Sequence, residues 1–214
     1  MRKLILGFMI LIPLISINAQ WDLSASMGLD FRSSPSYRDY VNANFAPQGS
    51  KLASFNSAVN FSGEIGYLIS PKFQLGFEYS ILIDSYNTSI GAAGLYDISY
   101  TMLRPSIIGY YVISGKGYKF KFGGGFGLRS VSLDEKISTT THYSASGTGF
   151  LLKADGNTLL SDNLFVLIGV DLRYDIPGVL STKGNAKITN SATGEAVNMN
   201  AVGVGIKLGV TYTF

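Results

Sequence analysis

The chain has 214 residues, enough for one domain of moderate size, and carries a formal net charge of +3 with only 14% charged residues, against roughly 25% in ordinary globular domains. It contains no cysteine, which excludes disulfides and thiolate metal sites, and its near-neutral balance gives no electrostatic ground for a nucleic-acid partner. A water-soluble surface normally carries more charge than this; glycine and aromatic residues are abundant instead.

Residues 1–19 read as a secretory signal peptide. Arg2 and Lys3 form a positive start, and Leu4 to Ile17 is a near-continuous apolar run. That run is shorter than the roughly twenty residues of a spanning helix, and Pro13 interrupts it. Ser16-Ile17-Asn18-Ala19 offers a small residue at the cut, with Gln20 opening the mature chain. Residues 20–214 are then one domain, and loss of two basic residues lowers the net charge of +3 to about +1. No cysteine follows the run, so a lipid-anchored lipoprotein is not expected.

Beyond Ala19 no stretch holds a convincing helical period; strict alternation recurs, the signature of a strand with two unlike faces. Trp21, Leu23, Ala25, Met27, Leu29 and Phe31 oppose Asp22, Ser24, Ser26, Gly28, Asp30 and Arg32. The pattern returns over Val59–Ile69, Phe73–Ile83, Tyr118–Leu128, Leu164–Tyr174 and Val202–Phe214. Two less regular segments, Tyr96–Ile113 and Thr148–Leu160, bring the total to about eight strands. The turns at Ser70-Pro71-Lys72, Ser114–Gly117 and Ser161-Asp162-Asn163 are tight. They alternate with long polar connections at 33–56, 85–95, 132–146 and 177–197. Short periplasmic turns and long extracellular loops are the plan of outer-membrane barrels.

Three features favour a membrane barrel over a soluble one. The clean segments alternate for about eleven residues or more, the length a tilted strand needs to cross hydrocarbon. Their polar faces are rich in Gly and Ser, which suits a narrow lumen. Aromatics near the segment ends, Trp21, Phe31, Tyr67, Phe73, Tyr118 and Tyr174, match interfacial girdles. Unpaired backbone groups cost several kcal/mol in lipid, so Gln20–Arg32 must pair with Ala201–Phe214. The expected fold is therefore an all-β, closed, antiparallel up-and-down transmembrane barrel.

The closing run Gly205-Ile206-Lys207-Leu208-Gly209-Val210-Thr211-Tyr212-Thr213-Phe214 resembles the last strand of bacterial outer-membrane barrels. Tyr212 and Phe214 would then form the signal read by the barrel-assembly machinery. As a pattern, residues 20–214 resemble the eight-stranded OmpX, OmpA-barrel and OmpW group. The resemblance implies outer-membrane location after export, a lipid and lipopolysaccharide environment, and a partner reached through the outer loops.

Pro105 cannot donate to a ladder, and Ile107-Ile108 and Tyr110-Tyr111 break the alternation after it. A bulge near Arg104–Ser106 that shifts the facing by one residue is expected. The inward charges Glu64, Glu78, Lys119, Lys121, Arg129, Asp171, Arg173 and Lys207 form either a salt-bridge plug or the lining of a narrow solute path. His142, the single histidine, lies in the 132–146 loop with no serine fixed beside it, so no catalytic site is expected. No cofactor or metal is expected either. Gly123-Gly124-Gly125 sits in a strand pattern without a following helix, which makes it packing rather than a phosphate loop. The loop aromatics Tyr37, Tyr40, Phe45, Phe55, Tyr86 and Tyr143 suit either binding or packing on the rim. The sequence thus favours a non-enzymatic barrel displaying loops for envelope integrity, adhesion or surface contact. The alternatives are a narrow channel for small or hydrophobic solutes and, further off, a lipid A-modifying enzyme.

Overall fold

The alternating segments become eight strands in a computed structural model that describes residues 21–46, 51–90 and 94–214. They are β1 (Trp21–Ser33), β2 (Asn56–Ser70), β3 (Phe73–Ser89), β4 (Leu95–Gly115), β5 (Tyr118–Lys136), β6 (Thr140–Ser161), β7 (Leu164–Ile176) and β8 (Ala201–Thr213). One helix, α1 (Pro35–Asn44), follows β1. Each strand pairs antiparallel with the next, and β1 pairs with β8 from Asp22↔Thr213 to Ser33↔Val202, closing the ring. The signal-peptide expectation at 1–19 and the cut at Gln20 lie outside the described residues, as do 47–50 and 91–93 of the first two expected loops.

The two strand faces meet different solvents. One row around the wall, Phe77↔Ile107↔Phe126↔Phe150, is apolar and about half-exposed throughout. An apolar belt of this extent has no stable place in water, whereas lipid accepts it. The opposite face lines an interior packed with side chains. Two-residue turns close the lower end; at Lys116-Gly117 the positive φ of Gly117 (82°) makes the reversal between β4 and β5 possible. Small register shifts at Leu68/Ser70 and Leu159/Ser161 sit beside the other two turns.

The wall is uneven in height. β1, β7 and β8 are 13 residues long, while β4, β5 and β6 have 21, 19 and 22. Two of the four expected loops are therefore mostly strand. Around the first, β3 and β4 extend as a pair to Ser89↔Leu95, with Asn87 opposite Asp97, and in 132–146 Asp134 pairs with His142. The reason is a change of what lies inside. Above the acyl belt the inward residues of β4 and β5 are Tyr96, Ile98, Tyr100, Met102, Val131 and Leu133, all buried, while the outward residues between them, Asp97, Ser99, Thr101 and Ser132, are polar. The hydrophobic sense of the strand inverts without any change in backbone.

That inversion also removes the expected bulge at Pro105. β3 pairs with β4 in one register from Phe73↔Tyr111 to Ser89↔Leu95, with Tyr79 opposite Pro105. Toward β5 the ladder omits Arg104 and Pro105 and resumes at Ser106↔Gly127 in the register it left at Leu103↔Ser130. Even-numbered residues face inward along the whole of β4. The paired isoleucines are explained by Ile107 meeting lipid and Ile108 packing inside with Tyr110, Val112 and Leu151.

The other two connections are folded as well. α1 starts with Pro35 in its first turn and buries Tyr37, Tyr40 and Val41, the i, i+3, i+4 stripe of an amphipathic helix. Segment 177–197 doubles back through the bridges Val179↔Asn198, Ser181↔Lys187 and Thr189↔Ala196, and touches the wall at Ser144↔Ser181.

Candidate functional site

The interior is the most elaborately built part of the molecule. At the lower end Asp22 meets Lys119 Nζ at 2.9 Å and accepts from Gln74 Nε2 (3.0 Å) and Thr213 Oγ1 (2.8 Å). Higher up, Glu64 is shared by Lys121 (3.0 Å), Lys153 (2.5 Å) and the Tyr110 hydroxyl (2.6 Å). Lys153 also reaches Glu78 (2.6 Å), which Arg173 holds from the other side at 2.8 Å. Arg173 pairs in turn with Asp171 (2.8 Å), and Lys207 pairs with Asp155 (3.0 Å). The uppermost tier joins Arg104 to Asp30 (2.7 Å) and Arg129 to Asp175 (2.5 Å).

All eight charges expected in the lumen are thus buried and lie in this column. Seven more members were outside the expected set: Asp22, Asp30, Arg32, Arg104, Lys153, Asp155 and Asp175. Asp22, Asp30, Arg32 and Asp175 stand on the polar face of clean strands and were readable there. Arg104 was obscured by the Pro105 irregularity. Lys153 and Asp155 were obscured by the Leu151-Leu152 doublet, although Gly147, Gly149, Leu151, Lys153, Asp155 and Asn157 form one inward row. Among the described residues eight acids and eight bases are buried, with Glu135 the highest of the acids. Such a balance is required, because an unpaired ion out of water costs several kcal/mol.

Above the charges the filling changes to hydrocarbon and phenol. Tyr37, Tyr40 and Val41 of α1 pack in one cluster with Tyr96, Ile98, Tyr100 and Met102 of β4, with Leu180, Ile188 and Val197 of the 177–197 segment, and with Met199 just beyond it. Phe45 stacks on Tyr96 with ring centroids 3.8 Å apart, and Tyr37 meets Tyr100 edge-on at 5.7 Å. Glu135 accepts hydrogen bonds from Tyr40 (2.6 Å) and Tyr96 (2.9 Å). Burial and this carboxylate raise the ionisation of both phenols far above the ordinary tyrosine value. Ser36 Oγ accepts from the Asn198 amide at 3.0 Å, tying α1 to the chain just beyond the 177–197 segment. Of the loop aromatics, Tyr37, Tyr40, Phe45, Tyr86 and Tyr143 pack in or against this core, whereas Phe55 is exposed.

The aromatics near the strand ends face outward. At the short-turn end Trp21 lies against Tyr67 (4.9 Å) and Phe73 against Tyr111 (5.7 Å), with Tyr118 beside Phe120. Phe31 and Tyr174 are exposed toward the opposite end. Tyr212 contacts Phe214 edge-on at 4.9 Å, and the Phe214 amide donates to the Trp21 carbonyl at 2.9 Å. Gly123 and Gly125 allow close approach: a Cβ on Gly123 would lie 2.4 Å from the Tyr110 ring, and one on Gly125 2.3 Å from the Ile107 carbonyl oxygen.

His142 is placed differently from expectation. It lies in β6 rather than in a loop, on the exposed outer face, with Nδ1 bonded to Asp134 across the strand pair. Among the described residues no serine hydroxyl is bonded to this pair, and no group of three or more His, Asp and Glu side chains is placed to hold a metal.

A closed ring of eight antiparallel strands with a lipid-facing belt and a packed polar interior defines the small outer-membrane-type β-barrel. The fold is shared with solved barrels of low sequence similarity. A major outer membrane protein from Thermus thermophilus aligns at 12% identity over 92% of this chain and 100% of its own, with TM-score 0.57. Neisserial surface protein A aligns at 14% over 91% and 97%, with TM-score 0.56. Ail, the attachment invasion locus protein of Yersinia pestis, aligns at 13% over 92% and 100%, with TM-score 0.54. No family model matches the chain, and neither does any curated protein.

Proposed function

We propose that the protein is a non-conducting, non-enzymatic surface barrel of the bacterial outer membrane, which presents its tall wall, α1 and the 177–197 segment to the exterior for envelope integrity, adhesion or partner contact. The observation that carries this reading is the doubly filled interior. A solute passing through would have to part buried ion pairs and then displace a helix seated in an apolar core. The channel alternative needs an open path that these two fillings occupy. The enzyme alternative needs a positioned nucleophile, and the His142–Asp134 pair has none bonded to it among the described residues.

In this reading Trp21, Tyr67, Phe73 and Tyr118 anchor the periplasmic interface, while Phe31 and Tyr174 anchor the outer one. Tyr212 and Phe214 serve as the assembly signal. Lipid, lipopolysaccharide and the barrel-assembly machinery are the constitutive partners. The test is planar-bilayer conductance of refolded protein. The expected result is a silent bilayer; a steady conductance altered by Lys121→Glu or Arg173→Glu would overturn the reading.

A further inference from the structure

The buried bases of the interior divide by residue type. Lys119, Lys121, Lys153 and Lys207 each place the ammonium within 3.0 Å of a carboxylate. Each of the four arginines instead leaves one terminal nitrogen without a partner among the described residues: Arg32 Nη2, Arg104 Nη2, Arg129 Nη2 and Arg173 Nη1. None of the four is more than 4% exposed. They gather at one level. Arg32 and Arg173 stand on either side of Gly203, which pairs with both. Asp175 is the next inward residue above Arg173 on β7, and Arg104 and Arg129 grip it together at 3.7 and 2.5 Å. Arg32 forms no ion pair among the described residues; its Nη1 donates to the Tyr100 hydroxyl at 3.2 Å, which also bonds Asp84.

We propose that this arginine level binds one chloride ion inside the barrel. Like charges at one height repel one another, and a charged donor left unbonded out of water costs more than a neutral one. A halide offsets both, because it carries the opposite charge and accepts from several N–H groups at once. It also brings no hydrogens that need acceptors of their own. Asn60 Oδ1, likewise unpartnered, is an acceptor that a water molecule could use, so water is the rival occupant. Glycines let the arginines lie against bare backbone: a Cβ on Gly149 would stand 2.7 Å from Arg129 Nη2, and one on Gly203 3.1 Å from Arg32 Cβ. Enclosure sets the size of the ligand. Buried Leu82 and Met102 close the level above, and the Lys153–Glu78–Arg173 lattice closes it below. A level shut at both ends suits a monatomic ion rather than phosphate or a carboxylate-bearing solute, which would have to unseat α1 to enter.

Two measurements test this. In crystals of the refolded protein grown with bromide in place of chloride, anomalous scattering should show a bromide in contact with at least two of the four free nitrogens. Ordinary water density there without an anomalous signal overturns the inference, as do bromide peaks on the outer surface alone. In solution, urea unfolding in lipid vesicles is followed at fixed ionic strength while gluconate is exchanged for chloride. An ion bound by the folded chain and not by the unfolded one makes the unfolding constant fall about tenfold for each tenfold rise in chloride above the dissociation constant. Arg32→Met should remove that dependence, and Lys136→Met, at an exposed position outside the interior, should keep it. Folding of each variant is checked by heat-dependent gel shift; should Arg32→Met fail to refold, the bromide position in the parent protein decides alone. An unfolding constant indifferent to chloride, or a dependence that Arg32→Met retains, sinks the proposal. Neither readout depends on whether the bilayer is silent, so the surface-barrel reading stands or falls separately.

Discussion

The lower and upper halves of the interior solve the same problem with opposite chemistry. Both must fill a ring too narrow for a pore and too wide to collapse. Below, where the outside is lipid, the inside is a lattice of ion pairs, such as Lys153 between Glu64 and Glu78. Above, where the outside is polar, the inside is hydrocarbon around α1. The comparison shows that sidedness in a barrel is set level by level. The upper half is an ordinary small globular core, polar outside and apolar inside, standing on a lower half that is turned inside out. The two halves should therefore fail differently when a single member is removed.

The largest effect is expected from Glu64→Gln. Lys121 is fully buried and has Glu64 as its one carboxylate partner among the described residues. Neutralising Glu64 leaves that ammonium uncompensated, at a cost of about 3–5 kcal/mol. Urea unfolding of the refolded protein in lipid vesicles should show a loss of this size for the whole barrel. Adding Lys121→Met should recover most of it. A double variant no more stable than the single would show that Lys121 does not depend on Glu64.

Next in size is Leu133→Ala, which opens a cavity in the upper core. Leu-to-Ala changes at buried sites cost about 2–5 kcal/mol, but here the loss should stay local. The heat-dependent gel shift of the barrel should be retained, while protease should cut near α1 faster than in the parent protein. Loss of the gel shift together with loop protection would mean that the two halves form a single cooperative unit.

The same contrast explains what the sequence could reveal. Strands that face lipid for their full length, such as β1 and β8, alternate cleanly and were legible to within a residue or two. β4 was hard to read because its inward row passes from Tyr110 and Ile108 through Ser106 and Arg104 to Met102, Tyr100 and Ile98, a polar tier between two apolar ones. Counting apolar residues then implies a slipped register, and only the partner strands show that none exists. α1 escaped for a related reason. Its buried stripe is only Tyr37, Tyr40 and Val41, too short to announce a helix until the cup that receives it is known. The lumen charges were legible wherever Gly and Ser flanked them. Lys153 and Asp155 were hidden beside two adjacent leucines.

The smallest effect concerns the attachment of α1. The Tyr40 hydroxyl donates to Glu135 at 2.6 Å, and Tyr96 donates to the same carboxylate oxygen. Tyr40→Phe removes one charged hydrogen bond while keeping the ring, at a cost of about 1.5–3 kcal/mol, offset in part by the bond that Tyr96 retains. Faster amide exchange in α1, with the strand amides unchanged, is the expected signature. The pH dependence has a definite sign. Both phenols ionise at higher pH in the docked state than free in solution, so their contribution is complete below the ordinary tyrosine range and is lost as pH rises beyond it. Exchange in α1 of the parent protein should accelerate above about pH 10. In Tyr40→Phe that alkaline step should shrink, since one of the raised phenols around Glu135, which also include Tyr37, Tyr96 and Tyr143, is gone. An undiminished step would place the alkaline sensitivity elsewhere and leave Glu135 as a spectator beneath the helix.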